Sequence, residues 1–249
     1  GSITGKWQHA VLGANGAIYG VPNDAGAVLK IDPMTDTATT FGSLGGGVDK
    51  WQYSIAAANG AIYGLPCDAA VVLKVDPATD TVTTFGDLGS KSKKWPHGVM
   101  ALNGAIYGIP AYASSVLKID PALDTVTTLG SLDTETHKWW HGVRATNGVI
   151  YGIPAFASTV LKIVPWSDTV STFGDVGGAR YKWAHGVLAP SGAIYGVPAY
   201  ANSILKIIPA SDTAPDNVTT FSHASIQDHH GSMYKWWSSV VAPSGAIYA

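Results

Sequence analysis

Four kinds of side chain recur together at fixed spacing in this sequence, and as a set they could bind a ligand. Lys-Trp pairs stand at Lys94-Trp95, Lys138-Trp139 and Lys182-Trp183, with histidines two residues after each tryptophan at His97, His141 and His185. An aromatic residue follows in each of these repeats, at Tyr112, Phe156 and Tyr200. Aromatic rings offer flat apolar faces and imidazole adds a hydrogen-bonding group, a combination that suits the apolar face and hydroxyl rim of a sugar. The expected site is therefore a wedge in which Trp95, Trp139 and Trp183 stack, the three histidines hydrogen-bond, and Tyr112, Phe156 and Tyr200 form the outer wall. Lys94, Lys138 and Lys182 stand beside it. Strand alternation would put each histidine on the same side as its tryptophan. Two other readings of the histidines stay open. One is bonding to a neighbouring repeat's backbone, with Gly98, Gly142 and Gly186 allowing close approach. The other is a central metal ion gathered by His97, His141 and His185.

Acid-base chemistry has little to work with. The chain has one glutamate, Glu135, and eight of its seventeen acids fall in repeated turns: Asp32, Asp36, Asp76, Asp80, Asp120, Asp124, Asp168 and Asp212. These read as turn caps, which leaves few carboxylates for the facing pair of a glycosidase. Lys30, Lys74, Lys118, Lys162 and Lys206 recur on a later strand, where a packed stem and a locally bonded ammonium are expected. His223, Asp228, His229 and His230 cluster in an insertion and read either as a metal group or as a solvated loop. Asn217-Val-Thr219 matches a glycosylation sequon. A single cysteine, Cys67, excludes an intrachain disulfide and a thiolate metal cluster. No cofactor and no metal site are expected.

The elements that must hold these residues follow from a repeat. Lys-Trp pairs begin units at Lys6, Lys50, Lys94, Lys138, Lys182 and Lys235, at offsets of 44, 44, 44, 44 and 53, and the tyrosines Tyr19 to Tyr248 keep the same offsets. In the third unit an apolar segment from Trp95 ends at Asn103-Gly104, the strongest hairpin dipeptide. Ala105–Ile109 and Ser115–Ile119 follow as strands, then the Asp120-Pro121 turn and the alternating Thr125–Leu129. The first two strands are apolar on both faces and the last alternates, the gradient of a sheet sandwiched inside and wetted outside. Four-stranded antiparallel units of this length, repeated radially, predict an all-β propeller forming one domain over 1–249. Six inner strand pairs but five outer pairs favour six blades with an incomplete last one, and five blades is the alternative.

Parts of the repeat resemble known propeller families. Val116-Leu-Lys-Ile-Asp-Pro-Ala-Leu-Asp-Thr-Val-Thr-Thr resembles the YVTN and NHL class, and Gly104-Ala-Ile-Tyr-Gly108 looks like the core of tachylectin-type propeller lectins. The Trp-x-His-Gly-Val string is similar to the inner strand of streptogramin-lyase-type propellers, a resemblance that implies a histidine working with acidic metal ligands.

Composition narrows the partners. A net charge of −2 with 13% charged residues gives no case for nucleic acid or an anionic membrane surface. No apolar run reaches a membrane-spanning length, and nothing at the N-terminus resembles a signal peptide. The compartment stays open, with an extracellular one favoured. The reading that joins these observations is a soluble, multivalent, lectin-like binder of a glycan or other small molecule. The incomplete blade edge admits a homodimer. A metal-dependent lyase or lactonase at the channel mouth and an interaction scaffold are the alternatives.

Overall fold

Each repeat becomes a four-stranded meander because its turns are local and its strands are short. The protein is described here by a computed structural model covering residues 5–222, 226 and 235–249. The first sheet holds β1 (Trp7–Leu12), β2 (Ile18–Pro22), β3 (Val28–Asp32) and β4 (Thr37–Phe41), and the second holds β5 (Trp51–Ala56), β6 (Ile62–Pro66), β7 (Val72–Asp76) and β8 (Thr81–Phe85). The third comprises β9 (His97–Met100), β10 (Ile106–Ile109), β11 (Val116–Asp120) and β12 (Thr125–Leu129). The fourth comprises β13 (Trp139–Arg144), β14 (Ile150–Pro154), β15 (Val160–Val164) and β16 (Thr169–Phe173). The fifth comprises β17 (Trp183–Leu188), β18 (Ile194–Pro198), β19 (Ile204–Ile208) and β20 (Asn217–Phe221), and a two-stranded sixth holds β21 (Val240–Val241) and β22 (Ile247–Tyr248). No helix among the described residues is long and apolar enough to cross a membrane.

The chain groups into two compact units. Gly1–Met100 with Gly104–Thr128 form the first, and Ala101–Asn103 with Leu129–Ala249 form the second. The expected burial gradient is present: β6 is buried throughout, whereas β8 alternates with its threonines exposed. In the first unit Tyr63, Leu65 and Val72 of the second sheet pack on Trp95, Ile106, Leu117 and Ile119 of the third. In the second unit Tyr151, Ile153 and Val160 of the fourth sheet pack on Trp183, Ile194, Leu205 and Ile207 of the fifth. Each such side chain contributes roughly 1.5–3 kcal/mol by leaving water, so these faces carry most of the stability.

A polar clasp closes one end of the sheet pairs within the units. Tyr63 Oη donates to Asp124 Oδ1 at 2.9 Å while Lys74 Nζ meets Asp124 Oδ2 at 2.5 Å. Lys30 makes the same contact with Asp80 at 2.6 Å, and Tyr19 Oη lies 3.3 Å from Asp80 Oδ1. The first aspartate of each turn does cap it, as Asp76 Oδ1 accepts Ala78 N–H at 2.9 Å. The second does more than expected. It sits in the left-handed region (φ 52° at Asp80, 53° at Asp124) and reaches back to the preceding sheet. Lys30, Lys74 and Lys162 are thus bonded across sheets and not within their own.

Candidate functional site

The tryptophans and lysines of the expected wedge are buried and hydrogen-bonded. Trp95, Trp139 and Trp183 are 1–3% exposed, and each indole N–H donates to a carbonyl twenty residues on, at Ser115, Thr159 and Ser203, all at 2.8 Å. Indoles so buried turn little of either ring face to solvent. Lys94, Lys138 and Lys182 are equally buried. Lys182 Nζ donates to Ala157 O at 2.9 Å and Ala179 O at 2.8 Å, and burial lowers its pKa to about 8. Lys94 donates to Lys91 O at 2.7 Å and Lys138 to Glu135 O at 2.8 Å. These ammonium groups tie loop carbonyls together.

The histidines follow a different geometry from the one alternation implies. Trp139 faces Pro154 and His141 faces Ile153, two steps on one strand against one on the other, and the same bulge separates Trp183 from His185. A bulge of one extra residue reverses the facing, so the histidine leaves the tryptophan's side of the sheet. The rings then meet at a tilt from one sheet to the next. His9 meets Tyr53 at 3.9 Å and Tyr53 meets His97 at 4.1 Å in the first unit; His141 meets His185 at 4.0 Å in the second. His185 Nδ1 and Ser239 Oγ are 2.9 Å apart, and His9 Nδ1 and Ser54 Oγ are 3.0 Å apart. Burial lowers the pKa of both His9 and His185. The adjoining glycine is required: a Cβ at Gly186 would lie 2.6 Å from Ile153 Cδ1. Among the described residues no three His, Cys, Asp or Glu side chains converge as a metal group, and His223, Asp228, His229 and His230 lie outside the described residues.

The loop aromatics lead to a second row that motif reading missed. The residue immediately before each lysine adopts left-handed backbone at Asp49, Lys93, His137 and Tyr181, with φ of 51–56°. Such a conformation is uncommon for bulky side chains, and outliers of this kind gather at functional sites. Each contacts the loop residue of its own sheet through the backbone, as Phe156 N donates to His137 O at 3.0 Å and Tyr200 N to Tyr181 O at 3.0 Å. In the second unit these positions fuse into an aromatic shelf. His137 stacks on Trp140 (5.2 Å) and on Phe156 (4.8 Å), Phe156 meets Tyr181 edge-on at 4.5 Å, and Tyr181 reaches Tyr200 at 5.3 Å. Arg180 lies 5.5 Å over the Phe156 ring, and exposed Trp237 extends the row beyond Trp140 at 6.3 Å. Tyr200 and Arg180, with Lys182 and Trp183 of the expected wedge, also border a polar cleft of about 380 Å³ that Asp175, Asn202 and Thr219 help line.

In the first unit the same row is charged. Asp24 Oδ1 accepts Asp49 N–H at 2.9 Å, Asp68 Oδ1 accepts Lys93 N–H at 2.7 Å, and Lys93 Nζ lies 6.0 Å over the Tyr112 ring. Tyr112 is therefore apart from Phe156 and Tyr200 in chemistry, with a cation as its neighbour. The signal that marks this row is variation: Gly5, Asp49, Lys93, His137 and Tyr181 differ while the Lys-Trp after them is constant.

Solved structures decide the fold. No family model matches the sequence, and a search of curated proteins finds no match. A catalytically inactive variant of virginiamycin B lyase from Staphylococcus aureus, with quinupristin, superposes with a TM-score of 0.70 at 11% identity, covering 89% of this chain and 72% of that one. A streptogramin B lyase gives 0.68 at 12% identity, covering 98% and 82%. The fold is that of a β-propeller. An auxiliary nutrient binding protein from Bacteroides thetaiotaomicron matches with a TM-score of 0.53 at 14% identity, over 87% of this chain and 57% of that one. At these identities the likeness concerns fold, and each blade here is one four-stranded sheet. Chemically, the shelf offers stacked ring faces beside a cation and a polar cleft, the means to hold a polyhydroxylated ring.

Proposed function

We propose that the protein binds a carbohydrate, or a small molecule of like shape, on the shelf formed by His137, Trp140, Phe156, Tyr181 and Tyr200. The continuity of these rings beside the Arg180 cleft carries the reading. His97, His141 and His185 act indirectly, by ordering the strands beneath, and Tyr112 belongs to the charged row of the first unit. The glycan reading agrees with the tachylectin-like string at Gly104–Gly108, and the nutrient-binding neighbour supports small-molecule binding on this fold. Because the row changes from charged to aromatic between units, one shelf replaces the set of equivalent sites that the repeat alone implies. We further propose a single propeller of six blades, the last represented by β21 and β22.

The test is a glycan array followed by titration on tryptophan fluorescence. Binding is expected, with a loss of at least tenfold for Tyr181→Ala and Trp140→Ala at unchanged melting temperature. No saturable glycan binding, or binding indifferent to both changes, overturns the proposal. A lyase reading is favoured by the two lyase neighbours; conversion of quinupristin by the purified protein, followed by chromatography, would support it instead.

A further inference from the structure

The fifth sheet presents a face that the fourth does not leave open. In the second unit Tyr151, Ile153 and Val160, bordered by Phe173, are sealed by Ile194 of β18, Leu205 and Ile207 of β19 and Val218 of β20. The repeat places Tyr195, Val197, Ile204 and Phe221 at the corresponding positions of the fifth sheet. There Ile247 of β22 stands where Ile194 stood. The space that counterparts of Leu205, Ile207 and Val218 would fill is a largely apolar cavity of about 680 Å³ bordered by these residues and Ile226. Exposure follows: Tyr151 is fully buried and Phe173 half-buried, whereas Tyr195 is half-buried and Phe221 is 45% exposed.

The polar end of this face is equally incomplete. Elsewhere the tyrosine and lysine of one sheet share the turn aspartate of the next, as Tyr63 and Lys74 share Asp124 and Tyr151 and Lys162 share Asp216. Tyr195 and Lys206 occupy those positions, with Lys206 Nζ 5.9 Å from the Tyr195 ring, and neither has an acceptor among the described residues. The outer edge of β22 likewise has no strand partner among the described residues, whereas β18 pairs there with β19.

From these three observations we infer that the face takes a two-stranded β-hairpin of the repeat's own outer type, with an aspartate ending its turn. Its first strand extends the sheet at β22, the recognition mode in which main-chain bonds give affinity and side-chain pockets give specificity. Its apolar side chains fill the cavity, and its carboxylate accepts from Lys206 and Tyr195. Charge argues for this occupant over a self-complementary contact with a second copy, which would bring the same unaccepted cation to the face and not its counter-charge.

The experiment uses a dye-labelled peptide with the sequence of residues 71–86, Val-Val-Leu-Lys-Val-Asp-Pro-Ala-Thr-Asp-Thr-Val-Thr-Thr-Phe-Gly. Fluorescence anisotropy with the full chain is expected to show saturable binding. Asp80→Asn in the peptide should weaken it by about tenfold, as expected for loss of a charge-assisted contact. Lys206→Met in the protein should do the same at an unchanged circular-dichroism spectrum. Absence of saturable binding overturns the inference, as does binding indifferent to both changes. So does a concentration-dependent dimer in sedimentation that Ile204→Asp abolishes, since the face would then belong to a second copy. None of these readouts involves the aromatic shelf, so the two proposals fail separately.

Discussion

The clasp between the fourth and fifth sheets makes a prediction that the repeat alone would get wrong. By repeat position Asp212 is the aspartate that should reach back to Tyr151 and Lys162. The extra residues around Pro215 move that role to Asp216, whose carboxylate accepts from Tyr151 Oη, Lys162 Nζ and, at 2.9 Å, Ala210 N. Hydrogen bonds to a charged group contribute about 1.5–3 kcal/mol each, but the three are not additive. The Lys162 side chain, 23% exposed, regains water once freed, whereas Tyr151 is fully buried and does not. Asp216→Ala is therefore expected to cost about 3 kcal/mol in denaturant titration, which for a chain of this size lowers Tm by about 6–12 °C. Asp212, exposed at the turn, should cost under about 0.5 kcal/mol on the same change. Tyr151→Phe combined with Asp216→Ala should cost less than the sum by about 1 kcal/mol, because the orphaned hydroxyl is removed. Burial alone would raise the Asp216 carboxyl; the donors from Lys162, Tyr151 and Ala210 outweigh it and hold it below the usual carboxylate range. Its contribution is thus complete above the unfolded aspartate pKa and fades as pH falls through the folded one. Equal costs at 212 and 216, or an Asp216→Ala cost near zero, would refute the reasoning.

Two further outcomes test the packing. Gly186→Val should destabilise by about 2–3 kcal/mol, since its Cβ would press on Ile153 Cδ1 at 2.6 Å and on Val143 Cγ2 at 3.2 Å; a melting temperature equal to that of the parent chain would show that this approach is slack. Burial brings the Lys182 ammonium down to about 8 in the folded chain from the ordinary 10.5, so between these values the unfolded chain holds the extra proton. Stability should accordingly rise with pH across that window in the parent protein, more steeply than in Lys182→Met; parallel slopes in thermal melts from pH 7.5 to 10.5 would disprove the assignment.

The fold was legible because its information is local. Asn103-Gly104, Asp120-Pro121 and the alternation of Thr125–Leu129 each specify a turn or strand without reference to distant residues, and the repeat multiplies each signal. The site was less legible because facing is not local. One extra residue at Trp140 forms the bulge that parts Trp139 from His141, and no side-chain type in the string announces it. Burial of Trp139 likewise depends on the bond to Thr159 O, which only the assembled sheet supplies. His137 and Tyr181 were overlooked because they precede a constant motif and carry no motif of their own.

That oversight points to a rule for reading repeats of this kind. The constant residues, Lys-Trp and Ile-Tyr, recur because the second to fifth sheets bury the same indole and tie the same ammonium, and because the tyrosine serves the clasp at Tyr19, Tyr63 and Tyr151. A position freed from those duties can vary, and the left-handed residues at 49, 93, 137 and 181 are such positions, held at one φ while their side chains run from carboxylate to ammonium to aromatic. The backbone there is fixed by Lys-Trp and by the loop N–H that bonds its carbonyl, as Tyr200 N bonds Tyr181 O. Side chains changed at such positions alter the surface without disturbing the strands below. The charged row of Asp24, Asp49, Asp68 and Lys93 and the aromatic row of His137, Phe156, Tyr181 and Tyr200 are therefore two chemistries mounted on one scaffold. A ligand that selects the second must do so through ring faces, because the backbone beneath the two rows is the same.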